Sequence, residues 1–499
     1  MLLEQIFRQT KARPHQTAIV DDKRQYTYRD IGIGANLLAD IVDDLAAGAD
    51  RIGLLIPQSG AFAFAFLGTR LTGRIVVPLN YLLKPNELVD VARAADLTAV
   101  ITIHHFDALA EALKAAGLKV FFIDDLKPSN FRCVLKTFFP RKLPPRKPDD
   151  VAVILFTSGT SSSPKGVMLT NNNLDSNARD AVAHARFNDH MCFLGVLPMF
   201  HTLGLMACFL IPLSLGCRVV YQARFSPPTV LAAIDENNIE VLIAVPTMYA
   251  LLANSKSTKA DSLKKVKYAI SGGEPLPVAL IQRYADFFGL QLLEGFGLTE
   301  TSPIVALSVP WANKRGAVGK ILPNQQVRLV DDNGHDLGPN QDGELWIKGP
   351  NVMKGYYKNP TATSEVLTAD GWFKTGDIAR LDNEGFLSIT GRKKEMIIMA
   401  GEKIAPSEIE DCLRHHPAVL LAAVIGVKDE GRGEVPVAFV QLEPGLSQKP
   451  GVNDLRAFVR QNLAAFKVPR DVYFVDEMPR SPTGKVLKRA LVVPHNTSV

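Results

Sequence analysis

Residues 157–166, "TSGTSSSPKG", place six hydroxyl side chains, two glycines and one lysine in ten positions, directly after the apolar run "VAVILF". Hydroxyls, backbone N–H groups left open by glycine and a single ammonium are equipment for holding an anion. Gly159 and Lys165 have the spacing of a Walker phosphate loop. Yet Pro164 stands where that motif requires glycine, and Gly166 where a magnesium-binding Ser or Thr should follow. The segment therefore reads as a flexible, hydroxyl-rich phosphate clamp of a different design.

The elements that must position such a clamp are legible around it. From residue 151, "VAVILF", "FLGVLP", "CRVVY", "EVLIAVP", "VKYAIS" and "LQLLEGF" read as strands. Between them "NLDSNARDAVAHARF", "TLGLMACFLIPLSLG", "PTVLAAIDENN", "PTMYALLANS" and "LPVALIQRYADFFG" read as helices. This alternation predicts βαβ units and a largely parallel, doubly wound sheet. The strands run out into "FTSGTSSSPKG", "LPMFHTLG", "AVPTMY", "ISGGEPL" and "EGFGLTE". Ligands bind outside the carboxyl ends of the strands in open α/β sheets, so the five segments predict one composite site. "RIGLLIP", "RIVVPLN" and "LTAVITI", within 29–125, predict a second such layer. Beyond about residue 315, short strands between Gly, Asn and Asp turns predict small antiparallel sheets. After "FLSITGRKKEMI" the amphipathic stretches "APSEIEDCLRHHP" and "GVNDLRAFVRQNLAAF" predict a small α+β domain, with a polar boundary near Gly391–Lys394.

Composition narrows the class. A chain of 499 residues, 47% hydrophobic and 21% charged, has the make-up of a soluble protein of several domains. Five cysteines without a CxxC pair suit the reducing cytoplasm. The N-terminal "MLLEQIFRQTKARPHQ" lacks the apolar run of a signal peptide, so export is not expected. The uncharged stretch 191–217 is broken by Pro198, His201 and Pro212, and reads as strand, turn and core helix, not as a bilayer span. The net charge of +5 is uneven, because residues 127–147 hold seven basic residues and no acid. That stretch reads first as a solvated linker. Phe131, Phe138 and Phe139 among its charges raise two alternatives, peripheral contact with anionic membrane and docking of an acidic carrier protein. No nucleic-acid partner is indicated.

Seven motifs stand in order between residues 157 and 489: "TSGTSSSPKGV", "LPMFHTLGL", "SGGEPL", "GFGLTE", "GWFKTGD", "GRKKEMIIMAGEKIAPSEIE" and "PRSPTGKVLK". In this order they resemble the adenylate-forming (AMP-binding) superfamily of acyl-CoA synthetases, luciferases and adenylation domains of peptide synthetases. The resemblance implies an α/β fold with a large N-terminal domain, residues 1–390, of doubly wound parallel-type sheets. A small β-barrel-like part would occupy about 315–390. A small mobile α+β domain, residues 391–499, would carry Lys485 and turn on Lys394 as its hinge. The implied activity is ATP-dependent activation of a carboxylic acid to acyl-AMP, with release of pyrophosphate, and then transfer to the thiol of coenzyme A.

The residue roles that the resemblance implies suit the charge such a reaction must manage. A carboxylate and ATP are both anionic, so positive charge and a metal must neutralise the reacting phosphates. Glu300 matches the family's Mg2+-binding glutamate, and Thr299 the α-phosphate donor. Thr157, Ser158, Gly159, Thr160 and Lys165 would hold the β- and γ-phosphates, with Ser162 where the family typically has glycine. Gly272, Gly273 and Glu274 would form the adenine loop, the glycines allowing close backbone approach. Phe296, followed by Gly297, stands where tyrosine is most frequent, so stacking is kept and a hydroxyl lost. Asp377 would accept both ribose hydroxyls, an ionised carboxylate being purely an acceptor. Arg392 would reach the ribose and phosphate side, and Lys485 would stabilise the charge that develops during adenylation. A non-catalytic paralogue that only binds an acid or nucleotide would have lost Lys485, Glu300 or Asp377, and all three are present.

His201 bears on the acid. Relatives that activate amino acids place an aspartate here to pair with the α-amino group, and histidine supplies no fixed negative charge. It reads as a gate or orienter beside the acyl carboxylate. The surrounding "GLMACFLIPL", "AVPTMYALL" and "ETSPIVAL" are apolar, which predicts a medium- or long-chain fatty acid. The alternative acceptor is an acyl carrier protein. "LLEGFGLTETSPIVALSVPWANKRGAVGKILP" resembles the synthetase part of the bifunctional acyl-acyl-carrier-protein synthetase.

Overall fold

The short apolar runs become strands whose neighbours are chosen by register and not by order in the chain. The computed structural model describes residues 1–46, 48–127, 133, 136–137, 140–157, 164–400, 402–429, 431–446, 448–480 and 486–494. Among them one sheet runs, edge to edge, through Gly355–Tyr356, Lys165–Thr170, Val151–Thr157, Ile75–Pro78, Arg51–Leu55, Ala99–Thr102 and Lys119–Phe122. Its last five strands are parallel, and Lys165–Thr170 turns back antiparallel on Val151–Thr157.

Two expectations change here. "VAVILF" joins the layer of residues 29–125, not the series that follows it. "KGVMLT", absent from the predicted strands, is one, because Thr157 and Lys165 face each other at the base of a hairpin. Gly166 makes the return possible, since a Cβ there would lie 2.9 Å from the Phe156 ring. The strand then passes straight into the helix Asn171–Ala185 through a reciprocal cap. Thr170 Oγ1 accepts from the Asn173 amide, and Asn173 Oδ1 from the Thr170 amide. Such a cap contributes about 1 kcal/mol.

The predicted parallel sheet is present. Leu292–Gly297, Tyr268–Gly272, Val241–Ala244, Cys192–Gly195, Arg218–Tyr221 and Thr17–Val20 lie side by side, all parallel. Antiparallel strands extend it through Ile304–Leu307, Gly319–Ile321, Phe386–Arg392, Phe373–Leu381, Asp342–Lys348 and Gln326–Val330. The β-rich region expected after residue 315 is therefore hydrogen-bonded to the large sheet.

Val153, Leu155 and Val167 of the first sheet join Phe193, Val219, Ile243, Ile270 and Leu293 of the second in one buried cluster. Apolar burial, at about 25 cal/mol per Å², is what holds the two layers together. The uncharged stretch lies within this core as the strand Cys192–Gly195 and the helical run Thr202–Leu215. Leu205, Met206, Cys208, Phe209, Ile211 and Leu213 are at most 1% exposed. A wide turn at Met206–Leu210 precedes Pro212, which has no N–H to donate. Among the described residues no helix is long and apolar enough to cross a membrane.

A separate small sheet, Glu402–Ile404, Ile397–Met399, Gly433–Leu442 and Val419–Asp429, has Asp471–Phe474 parallel to Gly433–Leu442. Ile409 and Leu413 of Pro406–Arg414, and Leu455 and Val459 of Val452–Asn462, bury against it. Phe386–Arg392 still belongs to the large sheet and Ile397–Met399 opens the small one, so residues 393–396 cross between them.

The basic stretch departs from the linker expectation. Lys136 pairs with Asp40 at 2.7 Å and Arg141 with Asp43 at 2.6 Å, both acids on the helix Tyr28–Leu45. The Arg146 guanidinium is sunk among protein atoms, which brings its pKa down to about 10. Lys136 and Arg141 are thus engaged with the protein, whereas Lys127, Lys142 and Lys147 are exposed as a linker's charges would be. Phe131, Phe138 and Phe139 lie outside the described residues.

Candidate active site

Most of the predicted site residues are described in the structure. Ser158, Gly159, Thr160 and Ser162 of the clamp, and Lys485, lie outside the described residues. The clamp's two ends are described, and Thr157 and Lys165 are paired across the hairpin. The ammonium of Lys165 lies 5.1 Å from the ring centroid of Tyr356. On the same tyrosine, the hydroxyl donates to Oε1 of Glu300 at 2.8 Å.

Thr299 and Glu300 sit in a tight turn, Thr299–Thr301. Gly297 makes the turn possible, since a Cβ there would fall 1.9 Å from the Pro303 carbonyl oxygen. The Thr301 hydroxyl donates to Pro303 O at 2.7 Å, and Asn351 Nδ2 donates to Thr301 O at 3.0 Å. The Met353 amide donates to the Glu300 carbonyl at 2.8 Å. Helix Asn171–Ala185 anchors this region from beneath. Asn177 Nδ2 donates to Ile304 O, and Asn173 Nδ2 to Pro350 O and Val352 O.

Gly272 ends its strand beside Gly295, and a Cβ there would lie 3.1 Å from Leu203 Cδ2. Gly273 has φ +89°, in the left-handed region that favours glycine. Glu274 follows, half-buried. Phe296 is half-buried too and packs against the cluster of Val305, Leu329 and Leu345, so part of its ring serves the core. Two residues before it, burial pushes the Glu294 carboxyl up to about 7, with Asp411 of the small domain adding to the effect. Sequence patterning gave no sign of Glu294, which sits in a strand pattern otherwise apolar.

His201 begins the helical run Thr202–Leu205. Gly204 lets that turn close, because a Cβ would lie 2.2 Å from Pro198 O. The imidazole packs against Phe200 at 4.6 Å, Phe200 meets Tyr81 edge-on at 4.9 Å, and Tyr81 stacks on Phe106 at 5.0 Å. Tyr81 and Phe106 come from the first layer, so the turn is held between the two sheets. The imidazole is open to solvent, while the protein crowded around it pulls its pKa down to about 4. Those two facts fit a ring lining a recess. Its accessibility moderates the shift, and the direction, toward neutral imidazole, stands.

Asp377 and Arg392 sit opposite each other on neighbouring strands, with Arg392 Nε 2.8 Å from Asp377 Oδ1. Lys394 is exposed in the short turn Lys393–Glu395, where the chain crosses to the small sheet. Its neighbour Lys393 pairs with Glu344 of the large sheet at 2.8 Å.

This geometry has counterparts. Residues 6–357 match the AMP-binding enzyme family, and residues 408–485 the AMP-binding enzyme C-terminal domain. The chain belongs to the AMP-binding enzyme family. This AMP-binding enzyme is 34% identical to feruloyl-CoA synthase of an Amycolatopsis species, over 96% of both chains. It is 32% identical to long-chain-fatty-acid–CoA ligase of Bacillus subtilis (strain 168), over 98% of this chain and 94% of that one. Its fold matches ATP-bound MatB from Rhodopseudomonas palustris with a TM-score of 0.88 at 30% identity, covering 98% and 97% of the two chains. The adenylate-forming resemblance is thereby established, together with the class of AMP-forming acid–CoA ligase.

The donor set of this AMP-binding enzyme suits Mg2+ held jointly with a substrate. Among the described residues no cluster of three or more His, Cys, Asp or Glu could cage a metal. Glu300, a hard oxygen donor, stands near Lys165 at the clamp's base. Mg2+ is typically held by one or two carboxylates plus substrate phosphates, which is the arrangement available here. Tyr356 is the residue that sequence reasoning missed. "KGYY" carries no charge pattern or spacing that marks it, and its partner Glu300 is remote in the chain.

Proposed function

We propose that this enzyme joins an apolar carboxylic acid to coenzyme A in two half-reactions. In the first, a carboxylate oxygen of the acid attacks the α-phosphorus of ATP, and pyrophosphate leaves as the acyl–phosphate bond forms. In the second, the coenzyme A thiol loses its proton and attacks the acyl carbonyl carbon, and AMP leaves. The observation that carries this reading is the meeting of Lys165 and Glu300, remote in sequence, on one tyrosine at the base of the clamp. Positive charge for phosphate and an anchor for a cation are what adenylation needs in one place.

In this reading Thr157, Ser158, Gly159, Thr160 and Lys165 hold the outer phosphates, and Thr299 donates to the α-phosphate. Glu300 would hold Mg2+, which supplies charge neutralisation at the phosphates. Gly272, Gly273, Glu274, Phe296 and Gly297 border the adenine, and Asp377 with Arg392 takes the ribose. His201, neutral in its recess, orients the acid. Lys485 acts on the developing charge, carried by a small domain that turns at Lys394. We place the boundary within the crossing 393–396, close to the residue-390 limit read from sequence.

The acid's tail is uncharged on this view. Leu203 and Val245, beside the glycine loop, and Leu298, next to the Glu300 turn, are half-buried apolar residues. Leu205–Leu213 argue nothing about the acid, because those side chains are committed to the core. A medium- or long-chain fatty acid is the first reading. The 34% identity to feruloyl-CoA synthase favours a second, an aromatic acid such as ferulate. Pyrophosphate release across alkyl and aryl acids, with coenzyme A and with holo carrier protein as acceptors, tests both. Carrier protein as acceptor and membrane contact gain little from residues 127–147, where Lys136 and Arg141 pair with the helix Tyr28–Leu45, Arg146 is largely sunk in the protein, and Lys127, Lys142 and Lys147 are left exposed.

A further inference from the structure

Tyr356 is fixed more firmly than a packing residue requires. The short strand Gly355–Tyr356 lies antiparallel to Lys165–Thr170, with Tyr356 opposite Val167. On either side the Lys354 amide donates to Met168 O at 3.0 Å and the Tyr357 amide to Gly166 O at 2.7 Å. The Tyr356 amide itself donates to Thr363 Oγ1 at 2.9 Å. The next ring is tied elsewhere. Tyr357's hydroxyl donates to Asp96 at 2.5 Å, and Lys358 pairs with the same carboxylate at 2.6 Å. The segment is thus strapped to the clamp's hairpin by backbone and to the first layer by Tyr357.

From that fixed backbone Tyr356 works in two directions. Its ring face meets the Lys165 ammonium, and its hydroxyl donates to one oxygen of Glu300. Phenylalanine would fill the same space, so packing alone gives no reason for a hydroxyl, which needs a partner once buried.

We propose that Tyr356 is a positioning residue for the metal-and-phosphate end of the nucleotide site. Its hydroxyl holds Glu300 with one oxygen engaged and the other available to a divalent cation, and its ring holds Lys165 at the base of the clamp. This rests on the roles given above to Glu300 and Lys165. The two halves separate by substitution. Tyr356→Phe removes only the hydroxyl, and Tyr356→Leu removes the ring face as well.

The test is calorimetric binding of ATP to the intact chain, with Mg2+ and with EDTA, alongside the Mg2+ dependence of acid-driven pyrophosphate exchange. Tyr356→Phe should raise the Mg2+ requirement about tenfold, the scale seen when a partner of a metal ligand is removed, and leave ATP binding in EDTA unchanged. Tyr356→Leu should weaken binding in EDTA too. In a Glu300→Gln background, Tyr356→Phe should have no further effect on Mg2+ dependence. An unchanged Mg2+ requirement in Tyr356→Phe, while Glu300→Gln raises it, overturns the proposal and leaves the site intact. Equal loss with and without Mg2+ overturns it also, because a merely structural tyrosine does that. If Glu300→Gln itself leaves Mg2+ dependence unchanged, the reading of Glu300 fails and the proposal with it.

Discussion

Arg392 Nε lies 2.8 Å from Oδ1 of Asp377, across the last two strands before the chain leaves the large sheet. The carboxylate is 1% exposed, and the guanidinium reaches it from a half-exposed position. The group assigned to the ribose is thus tied to the residue from which the crossing 393–396 departs. On the proposed roles, nucleotide binding and the placement of the small domain would meet at this ion pair.

Arg392→Ala should therefore act on both. Breaking a fully buried pair costs about 3–5 kcal/mol, and a half-exposed guanidinium should bring this to about 1–2 kcal/mol. The KM for ATP should rise several-fold, with part recovered in Arg392→Lys. Thermal denaturation and initial rates check the two effects. Lost stability with an unchanged KM for ATP would make the pair structural alone.

Lys485→Ala should abolish adenylation and largely spare thioester formation from supplied acyl-AMP. One donor to a developing charge is worth about 3–4 kcal/mol, or roughly 10²–10³ in rate. Single-turnover measurement of each half-reaction decides it. Equal loss in both steps would remove Lys485 from the first step.

His201→Ala should raise the KM for the acid more than that for ATP. Because crowding pulls the imidazole pKa below its ordinary value, it is neutral at pH 7 and above and should contribute no inflection near 6.5 to the rate profile. The sign for stability follows, since the unfolded chain binds the proton first. His201 lowers stability as pH falls from about 6.5 toward 4, and His201→Ala should lessen that loss. A profile inflection near 6.5 that disappears in His201→Ala would contradict the assignment.

Glu294 predicts the opposite trend. Its carboxyl is pushed up to about 7, so the folded chain keeps a proton that the unfolded chain has released. Stability is lost as pH rises from about 4.5 to 7, by on the order of 1–3 kcal/mol. Glu294→Gln should be more stable than the parent at pH 8 and similar at pH 4. Melting temperatures across that range are the check.

Much of this was legible in the sequence, for identifiable reasons. Alternating apolar runs from 191 to 297 marked the parallel strands, and glycine marked their ends, because both signals are local. Sheet membership is not local. "VAVILF" looks like the strands after it, yet it pairs with Ile75–Pro78. The apolar run 204–213 was read both as a core helix and as apolar surroundings for the acid, and its burial supports the first and leaves nothing for the second. Residues 127–147 read as a linker because Asp40 and Asp43, the partners of Lys136 and Arg141, stand on an earlier helix. Tyr356 was invisible for the same reason.

On the proposed mechanism the enzyme makes an acyl-adenylate before any thiol takes part. Acid-dependent exchange of labelled pyrophosphate into ATP, measured without coenzyme A, tests it most directly. Exchange is expected with apolar alkyl or aryl acids, little with α-amino acids, and conversion to the thioester with release of AMP once coenzyme A is added. Thioester formation that releases ADP, or that proceeds with no exchange before coenzyme A is present, would contradict it.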